Sequence, residues 1–385
     1  MFFHFGFAFV LFSIGFTLVV AFNLSKENRI KVILALMSTM LCLFVLEVSL
    51  RVSGTFMTDL EKGANGNYCS FLRLEKRNSW YRDHPPDTML NYFRTEFKFE
   101  RNTNSLGLSE RPISVDKSNY RIIGLGDSFT EGFGVSQDST WLRRLERQLN
   151  LHNSEIEVET INAGIGGSDP VYEYQLFKNK LSGLAPDLVI LSINSSDIGD
   201  LAYRGGFERF RTDGTSGRDA PWWEWIYQLN HLTRLVAHNG FKLNHYLVSP
   251  SEDEEGRSRF VELIGDVVAK LNVLAQENNF DLLIVVHPTI HDFESEGYLD
   301  PEMGQFIAEL KSSENQLIDL RHCFAKIDVT DKLVAQKYYW PIDRHFNQLG
   351  YNVYADCLYE TVLEKVKREA ETEDLSFTTQ RYPQP

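Results

Sequence analysis

What the chain lacks narrows its reading first. It has no basic face to neutralise phosphates: 53 acidic against 39 basic side chains leave a formal net charge of −14 over 385 residues. That argues against nucleic-acid binding, which is dominated by phosphate neutralisation. Only four cysteines are present, Cys42, Cys69, Cys323 and Cys357, and none stands at C-x-x-C spacing, so no zinc site is expected. Cys42 falls in an apolar run. The other three are an odd set from which at most one disulfide can form, and free buried thiols fit equally well. No internal repeat is visible. Charge is also absent from Met1 to Phe22, "MFFHFGFAFVLFSIGFTLVVAF".

A helix of roughly 20 such residues, at about 1.5 Å each, spans a bilayer core. A cleaved signal peptide would carry a basic start and a small-residue cleavage site. His4 is the only titratable side chain here and "AFNLS" is a poor site, so a retained helix is expected. Ile30–Val52 supplies a second span, with an uncharged centre from Val32 to Leu46 and with Lys31 and Arg51 placed to snorkel. Glu47 and Arg51 share a helical face and can pair. Lys26, Arg29 and Lys31 in or beside the intervening loop put that loop in the cytoplasm. Residues 1–52 therefore read as a transmembrane hairpin, and the domain from about Gly54 onward as periplasmic or extracellular.

Residues 53–100 read as a connector, with Trp80 and Tyr81 as packing anchors, followed by a strand-like alternation "YFRTEFKFE", Tyr92–Glu100, expected to pair with what comes next. From Arg121 the chain alternates. Strand-like runs at Arg121–Leu125, Glu157–Ile161, Leu188–Ile193, Leu282–Val286 and Gln316–Asp319 are separated by helical patterns at Trp141–Leu149, Tyr172–Leu181, Val261–Gln276 and Met303–Leu310. A last helix follows at Tyr351–Lys367. This rhythm predicts an α/β domain, residues 101–368, on a parallel sheet. Residues 203–258 interrupt it. There Trp222, Trp223, Trp225, Leu229, Leu232 and Leu235 fit one amphipathic helix, followed by an acidic turn, "SEDEEG". A core-packing excursion, a lid beside the site and a membrane-surface contact are all compatible with that insertion. Residues 369–385 are polar and read as a mobile tail.

Ligands of open parallel sheets meet the carboxyl ends of the strands. Three strand ends here carry unusual polar sequence, "GDSFTEG", "NAGIGGSD" and "INSSDIGD", and a fourth cluster, "DRHFNQLGY", precedes the last helix. Ser128 alone reads as a helix cap. Asp343 and His345 change that: a hydroxyl needs a base, and the base needs an acceptor for its other ring N–H. Gly167 lets backbone approach a ligand closely, as an oxyanion hole requires. Asn194 and Ser196 share parity after their strand, and either can supply the side-chain donor. Asp197 and Asp200 are expected to fix that loop, and Asp127 and Asn347 to support the site.

These four blocks, in this order, resemble those of the SGNH (GDSL-like) hydrolase superfamily. Ser128 matches the nucleophile block and Gly167 the glycine block. Asp343 and His345 match the last block, in a D-x-H-x-N form rather than the commoner D-x-x-H. The third block departs: the family expects Asn followed by Asp, and Ser196–Asp197 stands at that place, with Asn194 two residues early. The resemblance covers about Asn102 to Lys367, and "NTNSLGLSERP" looks like the lead-in of membrane-anchored members. It implies a three-layer α/β/α sandwich with a parallel sheet. It also implies carboxyl-ester chemistry, with Ser128 as nucleophile, His345 as base, Asp343 as its orienter and Ser128 and Gly167 N–H as oxyanion donors. No metal or organic cofactor is expected. The leading function is an extracytoplasmic O-acyl or O-acetyl esterase acting on cell-surface glycan esters, with lipid esters open. One alternative is an O-acetyltransferase that modifies a polysaccharide beside a multi-span acyl-transporting partner. Another is a non-catalytic glycan-binding or assembly protein on a degenerate hydrolase fold.

Overall fold

The computed structural model describes residues 25–55, 75–76, 84–114, 117, 119–152, 156–212, 215–216, 221–244, 247–294, 300–313, 315–325 and 333–381. Two compact units divide the chain: Met1–Asn78 with Arg209–Glu252, and Ser79–Glu208 with Asp253–Pro385.

The larger unit opens with a hairpin, β1 (Met89–Phe93) against β2 (Lys98–Asn102), antiparallel from Met89↔Asn102 to Phe93↔Lys98. The alternation at Tyr92–Glu100 thus belongs to two strands. Its centre is the turn, closed by Arg94 N–H on the Phe97 carbonyl, so the expected single strand folds back on itself.

Five parallel strands follow: β3 (Tyr120–Leu125), β4 (Val158–Asn162), β5 (Leu188–Ile193), β6 (Asp281–Val286) and β7 (Leu317–Asp319), in the order β4-β3-β5-β6-β7. Ile122, Ile190 and Leu283 project into one apolar cluster with Trp141, Leu145 and Leu149 of helix Trp141–His152 and with Tyr354, Leu358 and Val362 of helix Gln348–Arg381. Trp141 and Tyr354 stack at 4.6 Å. Ile123, Val189 and Ile284 alternate with these residues and are as fully buried, so both faces of the sheet are covered, as continuous apolar strands require. Helices Pro170–Leu176, Phe260–Asn278 and Pro301–Lys311 pack on one another, with Phe260 and Phe306 in edge contact at 6.1 Å. The last helix does not stop near Lys367. It contains no Gly or Pro after Gly350 and runs on to Arg381, so the expected tail is helical up to that residue.

The smaller unit contains one long apolar helix, Lys26–Val52, with no buried residue and a mean hydropathy of 2.3 in its most apolar window. It is long and apolar enough to cross a membrane, a property that anchors and signal sequences share. Met1–Phe22 lies outside the described residues, as do Cys69, Trp80 and Tyr81, so one apolar helix rather than a hairpin is present among them. The Trp-rich segment is not one helix either. Glu224–Leu229 ends at Asn230, whose extended backbone (φ −137°) breaks the helix and whose side chain accepts the Thr233 N–H at 2.9 Å to cap a second one, His231–Leu235. Glu47 of the long helix accepts the N–H groups of His231 at 3.1 Å and Leu232 at 2.9 Å. The expected acidic turn is also helical. Ser249 and Glu252 bond reciprocally, side chain to backbone, as a capping box that starts helix Pro250–Ser258.

Candidate active site

Ser128 stands where β3 gives out. Leu125 ends the strand, and Asp127 caps the turn Ser128–Glu131 by accepting the Phe129 N–H at 2.8 Å. The helix expected after the serine is this single turn, too short for a macrodipole, so any stabilisation of an anion here comes from individual N–H groups. Ser128 Oγ lies 2.7 Å from His345 Nε2, a residue 217 positions away, and His345 Nδ1 lies 2.6 Å from Asp343 Oδ1. A carboxylate can only accept, so it fixes the proton on Nδ1 and leaves the Nε2 lone pair to the hydroxyl. The imidazole is held between Phe129 at 4.8 Å and Phe133 at 5.0 Å. Phe346 beside it is fully buried against Phe324 and Tyr339.

The segment from Trp340 to Arg344 accounts for every backbone N–H it has. Trp340 donates to the His345 carbonyl and Arg344 to the Trp340 carbonyl, both at 2.8 Å. Ile342 and Asp343 donate to the Glu96 carboxylate at 2.9 and 2.7 Å, and Pro341 has none. Arg344 sits at φ 72°. Asn347 accepts the N–H groups of Leu349 and Gly350 and donates to the Lys337 carbonyl, so it caps the last helix and ties it back.

The glycine block approaches Ser128 closely. A Cβ on Gly164 would collide with the Glu131 backbone, and one on Gly166 would lie 4.0 Å from Ser128 Cβ. Gly167 adopts φ 72°, which glycine tolerates without strain. Its neighbours are all pinned. Gly166 N–H donates to Glu131 Oε2 at 2.6 Å, Ser168 N–H to the Ile165 carbonyl at 2.9 Å, and Arg204 to the Gly167 carbonyl at 2.6 Å. Among the described residues, the N–H groups of Ser128 and Gly167 have no hydrogen-bond partner.

Asn194 is fully buried. Its Nδ2 donates to Asp127 Oδ2 at 3.0 Å, and its Oδ1 accepts from Ser196 N–H at 2.8 Å and Ser196 Oγ at 2.6 Å. An acceptor-only carboxylate on one side and a backbone donor on the other leave one orientation for the amide. Ser196, expected as a rival donor, therefore turns its hydroxyl on Asn194. Asp197 accepts the Asn194 N–H at 2.8 Å, and Asp200 pairs with Arg204 at 3.1 Å. Burial, then the charges of neighbouring acids that include Asp127, hold the Asp197 and Glu173 carboxyls well above the usual range.

Three contributors are not apparent from the sequence. Glu131, from the same turn as Ser128, is buried and meets His84 Nε2 at 3.0 Å and Arg101 at 3.5 Å. Burial alone would raise its carboxyl, but the hydrogen bond and charge of His84, with Arg101 and the Gly166 N–H, outweigh it and hold the group below the usual range. Glu96 reaches the site from 247 residues away. His287 packs against Phe129 at 4.8 Å, and burial lowers its pKa.

A serine, a histidine and a carboxylate stand in line beside the carboxyl end of a parallel strand, an arrangement compatible with hydrolytic chemistry. Residues 125–353 match the GDSL-like Lipase/Acylhydrolase family. That is more than half of the chain: the protein belongs to this family and is an ester hydrolase. Among solved structures, the acetyl xylan esterase AlAXEase is similar at 19% identity and TM-score 0.39, over 63% of this chain and 99% of that one. The lipase/acylhydrolase from Enterococcus faecalis is 14% identical, TM-score 0.39, over 64% and 96%. A catalytic mutant of the acetylxylan esterase Axe2 from Geobacillus stearothermophilus is 12% identical, TM-score 0.37, over 66% and 96%. No protein with a curated description matches the chain.

Proposed function

We propose that the protein is a membrane-anchored serine esterase that works outside the cytoplasm and removes O-acyl groups, acetyl above all, from cell-surface glycans. The observation that carries this reading is the relay of 2.7 Å from Ser128 to His345 and 2.6 Å from His345 to Asp343. Ser128 Oγ attacks the ester carbonyl while its proton passes to His345 Nε2. The oxyanion is received by the N–H groups of Ser128 and Gly167, with Asn194 Nδ2 as the side-chain donor. His345 then protonates the leaving alcohol. Water repeats the sequence on the acyl-serine, giving the carboxylic acid and the free enzyme.

Three features support the anchor and its orientation. Lys26, Arg29 and Lys31 mark the cytoplasmic end of the apolar helix. Glu47 near its other end caps His231–Leu235, a structural duty that a discarded signal sequence does not have. Cys323 and Cys357 form a disulfide, which persists in oxidising compartments. The glycan reading is supported by exposed polar side chains at the relay segment, Arg344 between Asp343 and His345 and His291 at 3.1 Å from Arg344, which suit a hydroxyl-rich substrate better than long acyl chains.

The test is fluorophosphonate labelling and acetyl-ester hydrolysis by the full chain in detergent. Wild type is expected to label and hydrolyse, and Ser128→Ala and His345→Ala to do neither. Hydrolysis that survives Ser128→Ala overturns the assignment.

A further inference from the structure

The hairpin β1–β2 precedes the family-matched residues 125–353, yet it reaches both halves of the site. Its turn residue Glu96 turns both carboxylate oxygens toward the acid–base loop: Ile342 N–H donates at 3.0 and 2.9 Å to the two oxygens, and Asp343 N–H at 2.7 Å to one of them. Phe97 packs on Trp340 at 5.3 Å, at the start of that loop. Tyr92, Phe97 and Phe99 all contact Phe133, at 5.5, 5.6 and 5.8 Å, and Phe133 lies against the His345 ring.

The second reach runs through Glu131. Arg101 is fully buried and donates to the carbonyls of Glu131 at 2.6 Å, Gly132, and Val135 at 2.9 Å. Arg101, Tyr92 at 3.4 Å and His84, just ahead of the hairpin, surround Glu131 Oε1. The other oxygen, Oε2, is thereby left for the Gly166 N–H. A buried ion pair contributes little net stability compared with apolar packing of the same volume. An apolar pair here could not hold the peptide next to Gly167. The arrangement therefore reads as positioning of that peptide rather than as reinforcement of the core.

We infer that this hairpin is a positioning element of the ester-hydrolysing site, acting through Glu96 on the Asp343–His345 loop and through Glu131 on the Gly166–Gly167 turn. The inference rests on the serine-esterase reading above. Neither glutamate touches substrate. Each sets a group that does, so its removal reaches the transition state more than substrate binding.

The experiment compares Glu96→Ala, Glu96→Gln, Glu131→Ala and Glu131→Gln with wild type and Ser128→Ala in the full chain. It measures kcat and KM on an acetyl ester, the rate of fluorophosphonate labelling, and Tm. Each Ala variant is expected to lower kcat per labelled site about tenfold or more, with KM within about twofold: Glu131→Ala displaces a proposed oxyanion donor, whose outright removal typically costs about 10²–10³-fold, and Glu96→Ala loosens the loop that aims the proposed base, a group worth about 10²–10⁴-fold. Each Gln variant, whose amide oxygen can still accept one N–H, is expected to recover most of the loss. Glu96 lies in the hairpin turn, outside the core, so its variants report even if Glu131→Ala fails to fold. The inference is overturned if both Glu96 variants keep wild-type kcat, or if kcat falls only in step with Tm and Gln recovers nothing. Absence of labelling and hydrolysis in wild type would instead remove the esterase reading itself.

Discussion

Ser196 gives both its backbone N–H and its hydroxyl to the side-chain oxygen of Asn194. One residue of the pair is thereby the orienter and the other the oriented. The two carry different expectations.

Asn194→Ala removes the proposed side-chain oxyanion donor and should lower kcat about 10²–10³-fold. Ser196→Ala deletes one of two bonds to Asn194 Oδ1 and keeps the backbone one, so its loss should stay under about tenfold. Steady-state kinetics on an acetyl ester check this. A larger loss in Ser196→Ala than in Asn194→Ala would reverse the two roles.

Asp197 and Glu173 give a pH signature. Burial raises both carboxyls in the folded state, so the fold holds those protons more tightly than the unfolded chain does. Their contribution favours folding at acid pH and is lost as pH rises from the ordinary carboxylate value toward the raised ones. Glu131 has the opposite sign: it is lowered, so its contribution is present above the ordinary value and lost as pH falls through its folded one. Asp197→Asn should therefore flatten the decline in stability between acid and neutral pH. Denaturant midpoints across that range measure it, and an unchanged slope would show that Asp197 is ionised in the native state.

The Cys323–Cys357 disulfide closes a loop with a sequence separation of 34 and joins helix Arg321–Ala325 to the last helix. Replacing both cysteines with serine should lower stability by about 2–4 kcal/mol and leave kcat unchanged. Denaturation with and without reductant should give the same difference in wild type and none in the double variant.

If the helix Lys26–Val52 is retained, the intact mass of the purified protein includes it, and Glu47→Ala weakens the cap on His231–Leu235 by about 1 kcal/mol. A mature chain starting beyond Val52 would make the segment a signal sequence and the enzyme a secreted one.

Much of this molecule is legible because its signals are local. β5 coincides with the run Leu188–Ile193, since a strand buried on both faces reads as a nearly continuous apolar run, interrupted here only by Ser192, whose hydroxyl meets Tyr354 inside the core. Ser128, Asp343 and His345 stand in short blocks whose residue types the chemistry demands. Glu96 is not legible, because its partners are backbone N–H groups 246 and 247 residues away, and a backbone partner leaves no mark on the sequence. Glu131 is in plain sight in "GDSFTEG", but a carboxylate beside a serine reads as surface until its burial is known. The helix capped by Ser249 hides behind its acidic residues, which read as a turn, while its signal lies in the S-x-x-E box at its start.

Arg344 separates the acid from the base by one residue and holds φ 72°, a conformation that disfavours every side chain larger than hydrogen. A glycine there would sit more comfortably, yet it would also multiply the ways in which the loop could be open. The arginine narrows that repertoire: the backbone that joins Asp343 to His345 has few alternatives to the arrangement in which they meet. Asp343 and His345 are thus held one residue apart on a stiff stretch of backbone. Folding must still bring Glu96 to the N–H groups of that stretch and Ser128, 217 positions away, to its imidazole.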